Sequence, residues 1–191
     1  MALPAEKERY TFADVLTWDE NERAEIIDGE PVMMAPPPSR AHQEISGELF
    51  GQLREYLKGK KCKVYHAPFA VRPFEQGGDS PEEVDTIVEP DITIVCDPSK
   101  LDDMGCKGAP DMVVEILSPS TRRHDRLTKF NLYQRAGVRE YWIVDPADKS
   151  VQVFTLEDGH YTAKDFGGIE DKLRVNVLED CVIDLSEVFP G

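Results

Sequence analysis

No apolar run in this chain approaches the roughly 20 residues that a bilayer-spanning helix needs, so a membrane partner is not expected. The first eight residues carry neither the basic start nor the apolar stretch of a secretory leader, and the expected location is the cytoplasm. Cysteine is scarce and scattered. Cys62, Cys96, Cys106 and Cys181 include no C-x-x-C pair and no histidine at zinc-finger spacing. A zinc module is thereby excluded, and all four are expected to be reduced, with Cys96 acting as a small hydrophobe at the end of an apolar run. Positive charge is also short, with 22 Lys and Arg against 37 Asp and Glu, a net charge of −15. That balance excludes a protein that coats nucleic acid non-specifically. Internal repeats, low-complexity tracts and linkers are absent too, so residues 1–191 are read as one domain.

What is present is an ordinary globular composition, 40% hydrophobic and 31% charged. Thr11 can cap a short helix with Asp14 in its first turn. Asp28-Gly29, between two extended runs, is a hairpin signal. After the prolines Pro36 to Pro38, Ser39 looks like the N-cap of a helix reaching about Lys58. Ile45, Leu49, Leu53 and Leu57 line one side of it, and Gly47 and Gly51 would permit a close approach on another. Extended runs follow at residues 63–65 and 69–71, then an acidic loop, then a strand at residues 92–96. A loop containing Gly105 and Gly108 leads to a strand from Asp111. A helix is expected from about Arg123 to Ala136, closed by Gly137. A strand at residues 141–144 and a hairpin turning at Asp158-Gly159 complete the order. The pattern predicts an α/β fold with a mixed sheet flanked by helices and hairpins toward both ends.

Charge is unevenly spread. Residues 75–91 hold seven acids and no base, whereas residues 118–139 hold Arg122, Arg123, Arg126, Lys129, Arg135 and Arg139 against Asp125 alone. The basic segment directly follows the most apolar strand, residues 112–117, and that strand contains Glu115. A carboxylate buried without a partner is costly, so Glu115 calls for a cation, a hydrogen-bond network or a metal. Asp111 shares its face of the strand, but four residues put the two about 13 Å apart, too far to share one ion. Asp91, at the mouth of the neighbouring strand, is the better partner. Two carboxylates from adjacent strands can share Mg2+ (or Mn2+), with water and substrate phosphate filling its other positions. On the following helix, Leu127, Phe130, Leu132, Tyr133 and Ala136 form an apolar arc, and Lys129 falls inside it. A lysine there must snorkel or meet an anion, and the carboxylates supply one.

In combination, these residues resemble the PD-(D/E)XK nuclease superfamily and, more specifically, the Uma-two family of restriction-endonuclease-like proteins. The matching stretches are residues 25–30, 88–91 and 108–121, continuing through Lys129 and Tyr133 into residues 136–146. The resemblance runs from about Phe12 to Phe189. It implies a restriction-endonuclease-like fold and metal binding by Asp91 and Glu115 with the carbonyl of Ile116. It also implies Lys129 beside the attacking water. One departure stands out: the superfamily's lysine two residues after the glutamate is Leu117 here, and Lys129 on the next helix takes its place.

The resemblance adds Glu25 as a further acid or substrate contact, and His42 is a second candidate in the first turn of the long helix. Arg122, Arg123 and Arg126 are candidates for substrate phosphate. His66, His124 and His160 carry no pattern, Tyr133 reads as core, and Asp145 reads as a turn residue before Pro146. The leading expectation is a divalent-metal-dependent DNA endonuclease, working as a homodimer because two strands need two cuts. A catalytically silent DNA-binding or protein-interaction module of the same fold, favoured by the negative charge, is the alternative. A hydrolase of small phosphates is a third.

Overall fold

The computed structural model describes residues 7–19, 24–33, 37–120 and 122–189. In chain order its elements are α1 (Phe12–Val15), β1 (Ala24–Ile27), β2 (Glu30–Met33), α2 (Arg40–Leu57), β3 (Lys63–His66) and β4 (Val71–Arg72). There follow β5 (Ile92–Val95), β6 (Leu101–Asp102), β7 (Gly105–Lys107) and β8 (Met112–Ile116). A π-helical segment, His124–Lys129, runs straight into α3 (Phe130–Ala136). The chain then forms β9 (Glu140–Asp145), β10 (Ser150–Glu157), β11 (His160–Gly168), β12 (Lys172–Arg174), β13 (Val182–Asp184) and α4 (Leu185–Val188).

Six strands make the central sheet, in the order β11-β10-β9-β8-β5-β3. Only β8 and β9 run parallel; every other pair in this sheet is antiparallel. A parallel pair needs a long crossover, and the π-helical segment with α3 supplies it. That crossover must lie across one face of β8. Alternation along β8 sends Met112, Val114 and Ile116 toward α2, where Ile45, Leu49, Leu53 and Leu57 meet them. Val113 and Leu117 face the other way, onto Leu132 and Tyr133 of α3. Glu115 shares their parity, so the strand delivers its carboxylate to the underside of the crossover helix.

Local chemistry accounts for the element ends. Ser39 accepts the His42 backbone N–H at 3.2 Å and starts α2, and Asp14 accepts the Thr11 N–H at 3.0 Å at the head of α1. Asp28 and Gly29, at φ +53° and +85°, form the two-residue turn joining β1 to β2. An antiparallel bridge from Ile26 to Ile87 then holds this hairpin against the segment leading into β5.

The structure corrects several expectations. Cys62 and Cys96 form a disulfide, while Cys106 and Cys181 are free and buried. Lys63 lies opposite Val95 in the β3–β5 register, so one step outward brings Cys62 against Cys96, a pairing that spacing along the chain cannot reveal. Leu127 leaves the apolar arc and is 54% exposed, because the wider π winding shifts the phase of the residues before α3. Gly47 and Gly51 face open space, and a Cβ at either would meet nothing within 4 Å. The loop with Gly105 and Gly108 contains β6 and β7, which join β4 in a three-stranded sheet. The hairpin turning at Asp158-Gly159 extends the central sheet as β10 and β11, and the short pair β12–β13 follows it. Pro36 and Thr121 lie outside the described residues. No helix among the described residues is long and apolar enough to cross a membrane.

Candidate active site

Register alone brings the two strand-borne acids together. Ile92 of β5 lies opposite Val114 of β8, so Asp91 falls opposite Glu115 at the end of the pair. Asp91 Oδ2 accepts the Ile116 backbone N–H at 2.7 Å, which locks its carboxylate onto β8. Asp111, at the other end of β8, accepts from the Cys96 N–H at 2.7 Å and from Arg139 at 3.0 Å, well away from this cluster.

Lys129, 5% exposed, closes the site from the helix side. Its Nζ lies 2.9 Å from Glu115 Oε1 and 2.9 Å from Glu25 Oε1, with Asp125 Oδ1 at 3.9 Å. Tyr133, one turn further along, donates its hydroxyl to Glu115 Oε1 at 2.7 Å. Glu25 arrives on β1, fixed by the Glu89 backbone N–H at 2.9 Å. The Ile26–Ile87 bridge is what sets that hairpin beside the start of β5. At the N-terminal end of α2, His42 Nε2 lies 3.3 Å from Asp91 Oδ1. His124 Nε2 is 3.9 Å from Glu25 Oε2.

Glu25, Asp91, Glu115, Lys129 and His42, all candidates from the sequence, therefore converge. Arg122 and Arg126 do not join them. Their guanidinium groups pair with the buried carboxylate of Asp145 at 2.9 and 3.2 Å, and Arg126 also donates to Gln152 at 3.0 Å. Arg123 is exposed. Asp125, 3% exposed, and His124 are site residues that sequence reasoning passed over. Asp125 offered a signal, being the one acid in the basic segment and four residues before Lys129. Tyr133 is core, as expected, but its hydroxyl also fixes Glu115.

The electrostatics follow from three carboxylates around one buried ammonium, with Asp91 acting on Glu115. Burial opposes the charge of Lys129, but Glu115, Glu25 and Asp125 outweigh it and hold the lysine well above its ordinary pKa. Burial pushes the Glu115 carboxyl up against the pull of Lys129, and Asp125, Asp91 and Glu25 push it further. The acids of the cluster raise both pKa values, outweighing burial at Lys129 and adding to it at Glu115. Burial also works against the His42 imidazolium, yet Asp91 and the Ile116 backbone prevail and raise its pKa.

Asp91 and Glu115 are the residues here that could hold a hard cation. Among the described residues no group of three or more His, Cys, Asp or Glu is arranged to hold a metal. Mg2+ asks for less, binding through one or two carboxylates while keeping several waters. Asp91 and Glu115 on adjacent strands meet that need, and the unbalanced negative charge around them favours a cation. The His42 ring already marks the place where positive charge is drawn to Asp91 and Ile116.

Comparison with known proteins places the chain by family and by fold. Residues 12–186 match the family Uma2, described as "Putative restriction endonuclease". An uncharacterized protein of Synechocystis sp. is 26% identical over 148 residues, covering 76% of this chain and 73% of its own. A crystal structure described as "a putative nuclease belonging to DUF820", from Anabaena variabilis, has a TM-score of 0.71 at 17% identity. It covers 94% of this chain and 97% of that one. At that identity the likeness establishes the fold, which is nuclease-like, as expected. With the match running from α1 into α4, the chain belongs to the Uma2 family.

Proposed function

We propose that the protein is a divalent-metal-dependent DNA endonuclease, with Mg2+ or Mn2+ held by Asp91, Glu115 and the carbonyl of Ile116. The observation that carries this reading is the Lys129 ammonium, buried and shared between Glu115 and Glu25 at 2.9 Å each, directly behind the Asp91–Glu115 pair. When bound, such a metal stabilises charge on the phosphate and lowers the pKa of a coordinated water. A lysine has three N–H donors, and two are taken by Glu115 and Glu25. The third is left to hold the attacking water or to stabilise charge growing on the scissile phosphate. Tyr133 and Lys129 both donate to Glu115 Oε1 and so fix the orientation of that carboxylate. His42 orients Asp91 and supplies a counter-charge to it. A homodimer would present two such sites to the two strands of a duplex.

The net charge of −15 favours a second reading, a catalytically silent module of the same fold. Plasmid nicking in Mg2+ or Mn2+ separates the two. Wild type should nick and Glu115→Gln should not. Metal binding without nicking by the wild type would select the silent module or a small-phosphate substrate.

A further inference from the structure

Most cations of the basic segment are already engaged: Arg122 and Arg126 by Asp145, Arg135 by Asp28, Arg139 by Asp111 and Lys129 by the cluster itself, with Arg123 exposed. Unengaged positive charge gathers elsewhere. Residues 54–63 hold Arg54, Lys58, Lys60, Lys61 and Lys63 against Glu55 alone, and all five cations are exposed. Lys60 lies over the Tyr56 ring at 3.1 Å. None of the five has a carboxylate within ion-pair distance among the described residues. An open cavity of about 650 Å3 lies within this patch, its lining including Arg54, Lys58 and Lys63 with Glu55, Phe50 and Gly51. Charge at the C-terminus of α2 would complement the helix dipole, but that accounts for Arg54 and Lys58 only. Lys60, Lys61 and Lys63 lie beyond the helix.

We propose that this basic cavity binds the phosphodiester backbone of DNA as an anchoring site remote from the reaction. Sixteen residues of helix separate His42 from Lys58, about 24 Å at 1.5 Å per residue. At 3.4 Å per base-pair step that distance along α2 corresponds to about seven base pairs. This inference rests on the nuclease reading for its ligand, and it explains how a protein of net charge −15 retains a polyanion.

The test is fluorescence anisotropy with a labelled 25-base-pair duplex in EDTA, using Glu115→Gln as the parent so that cleavage plays no part. Gly51→Glu places a carboxylate in the cavity where a Cβ meets nothing within 4 Å, so the fold tolerates it. Lys58→Glu/Lys63→Glu reverses two charges of the lining. Each variant should weaken binding roughly tenfold at low salt, and the double variant should lower the salt slope by about 2. Mn2+ binding by the same substitutions in an otherwise wild-type chain should be unchanged. Unaltered affinity and slope in variants with wild-type thermal unfolding would overturn the anchoring site alone. A parent that binds no duplex at all would overturn it together with the DNA reading. Displacement of the duplex by millimolar inorganic phosphate at constant ionic strength would reassign the cavity to small anions.

Discussion

Two glutamates are buried on adjacent strands of the central sheet, and their surroundings could hardly differ more. Glu140, at the start of β9, is fully buried. Its oxygens accept from Trp142 Nε1 at 2.7 Å, Asn176 Nδ2 at 3.1 Å and the Val177 backbone N–H at 2.7 Å. Every one of those donors is neutral. Glu115, 4% exposed near the end of β8, faces an ammonium and a phenol, with Glu25, Asp91 and Asp125 close by. A buried carboxylate ringed by neutral N–H groups is satisfied and closes its end of the sheet. One set among other acids keeps an uncancelled demand for positive charge, as binding sites do. Burial of a charged group does not identify a site; the charge balance of its neighbours does.

The contrast is sharpened first by activity. Glu115→Gln should slow plasmid nicking by ~10³-fold or more, about 4 kcal/mol in transition-state stabilisation. Glu140→Gln, assayed at a temperature where it remains folded, should stay within about twofold of wild type. Next in size is Lys129→Met, which leaves the acids of the cluster without their ammonium. Denaturant unfolding should show a loss of about 3 kcal/mol, because breaking a buried pair strands its partner.

Stability then reverses the order of the two glutamates. Glu140→Gln puts an amide N–H against at least one of three donors and should lose about 2 kcal/mol. Glu115→Gln removes a charge that other acids repel and should change stability by less than about 1 kcal/mol. Equal losses in the two variants would erase the distinction drawn between them.

The smallest effect is in pH. A carboxyl whose pKa is raised on folding is unpenalised below its ordinary value of 4.5 and destabilises the metal-free protein increasingly as pH climbs through the raised value. His42 contributes in the same direction: its raised pKa gives stability below the ordinary 6.5 that is lost as pH rises past the raised value. Thermal midpoints in EDTA should therefore fall from mildly acidic to alkaline pH, with a shallower slope in Glu115→Gln. Mn2+ should stabilise more at the higher pH, since binding displaces protons from the cluster.

Much of this was legible in the sequence, for identifiable reasons. The four-residue spacing of Ile45, Leu49, Leu53 and Leu57 identifies α2, and Asp28-Gly29 and Asp158-Gly159 identify two hairpins. Those signals are local and periodic. Asp91, Glu115 and Lys129 could be grouped because strand parity and helical phase fix where side chains point. Most other pairings set by tertiary register were not readable. Cys62 meets Cys96 only through the β3–β5 register, and Arg122 and Arg126 reach Asp145 only after the crossover is built. Strands of two or three residues, such as β6, β7 and β12, are too short to show a period. The π winding of His124–Lys129 left Lys129 where a regular helix would put it but turned Leu127 out to solvent. Glu140 gave no signal because two of its three donors, Asn176 and Val177, lie more than thirty residues away, on the segment after β12.

The proposed cation site is Glu115 with Asp91, and not the buried Glu140. Isothermal titration of Mn2+ into wild type, Glu115→Gln and Glu140→Gln tests it most directly. With the site at Glu115, one binding event per chain is expected in wild type and Glu140→Gln, with release of protons, and at least a tenfold weaker event in Glu115→Gln. Undiminished binding by Glu115→Gln would contradict it.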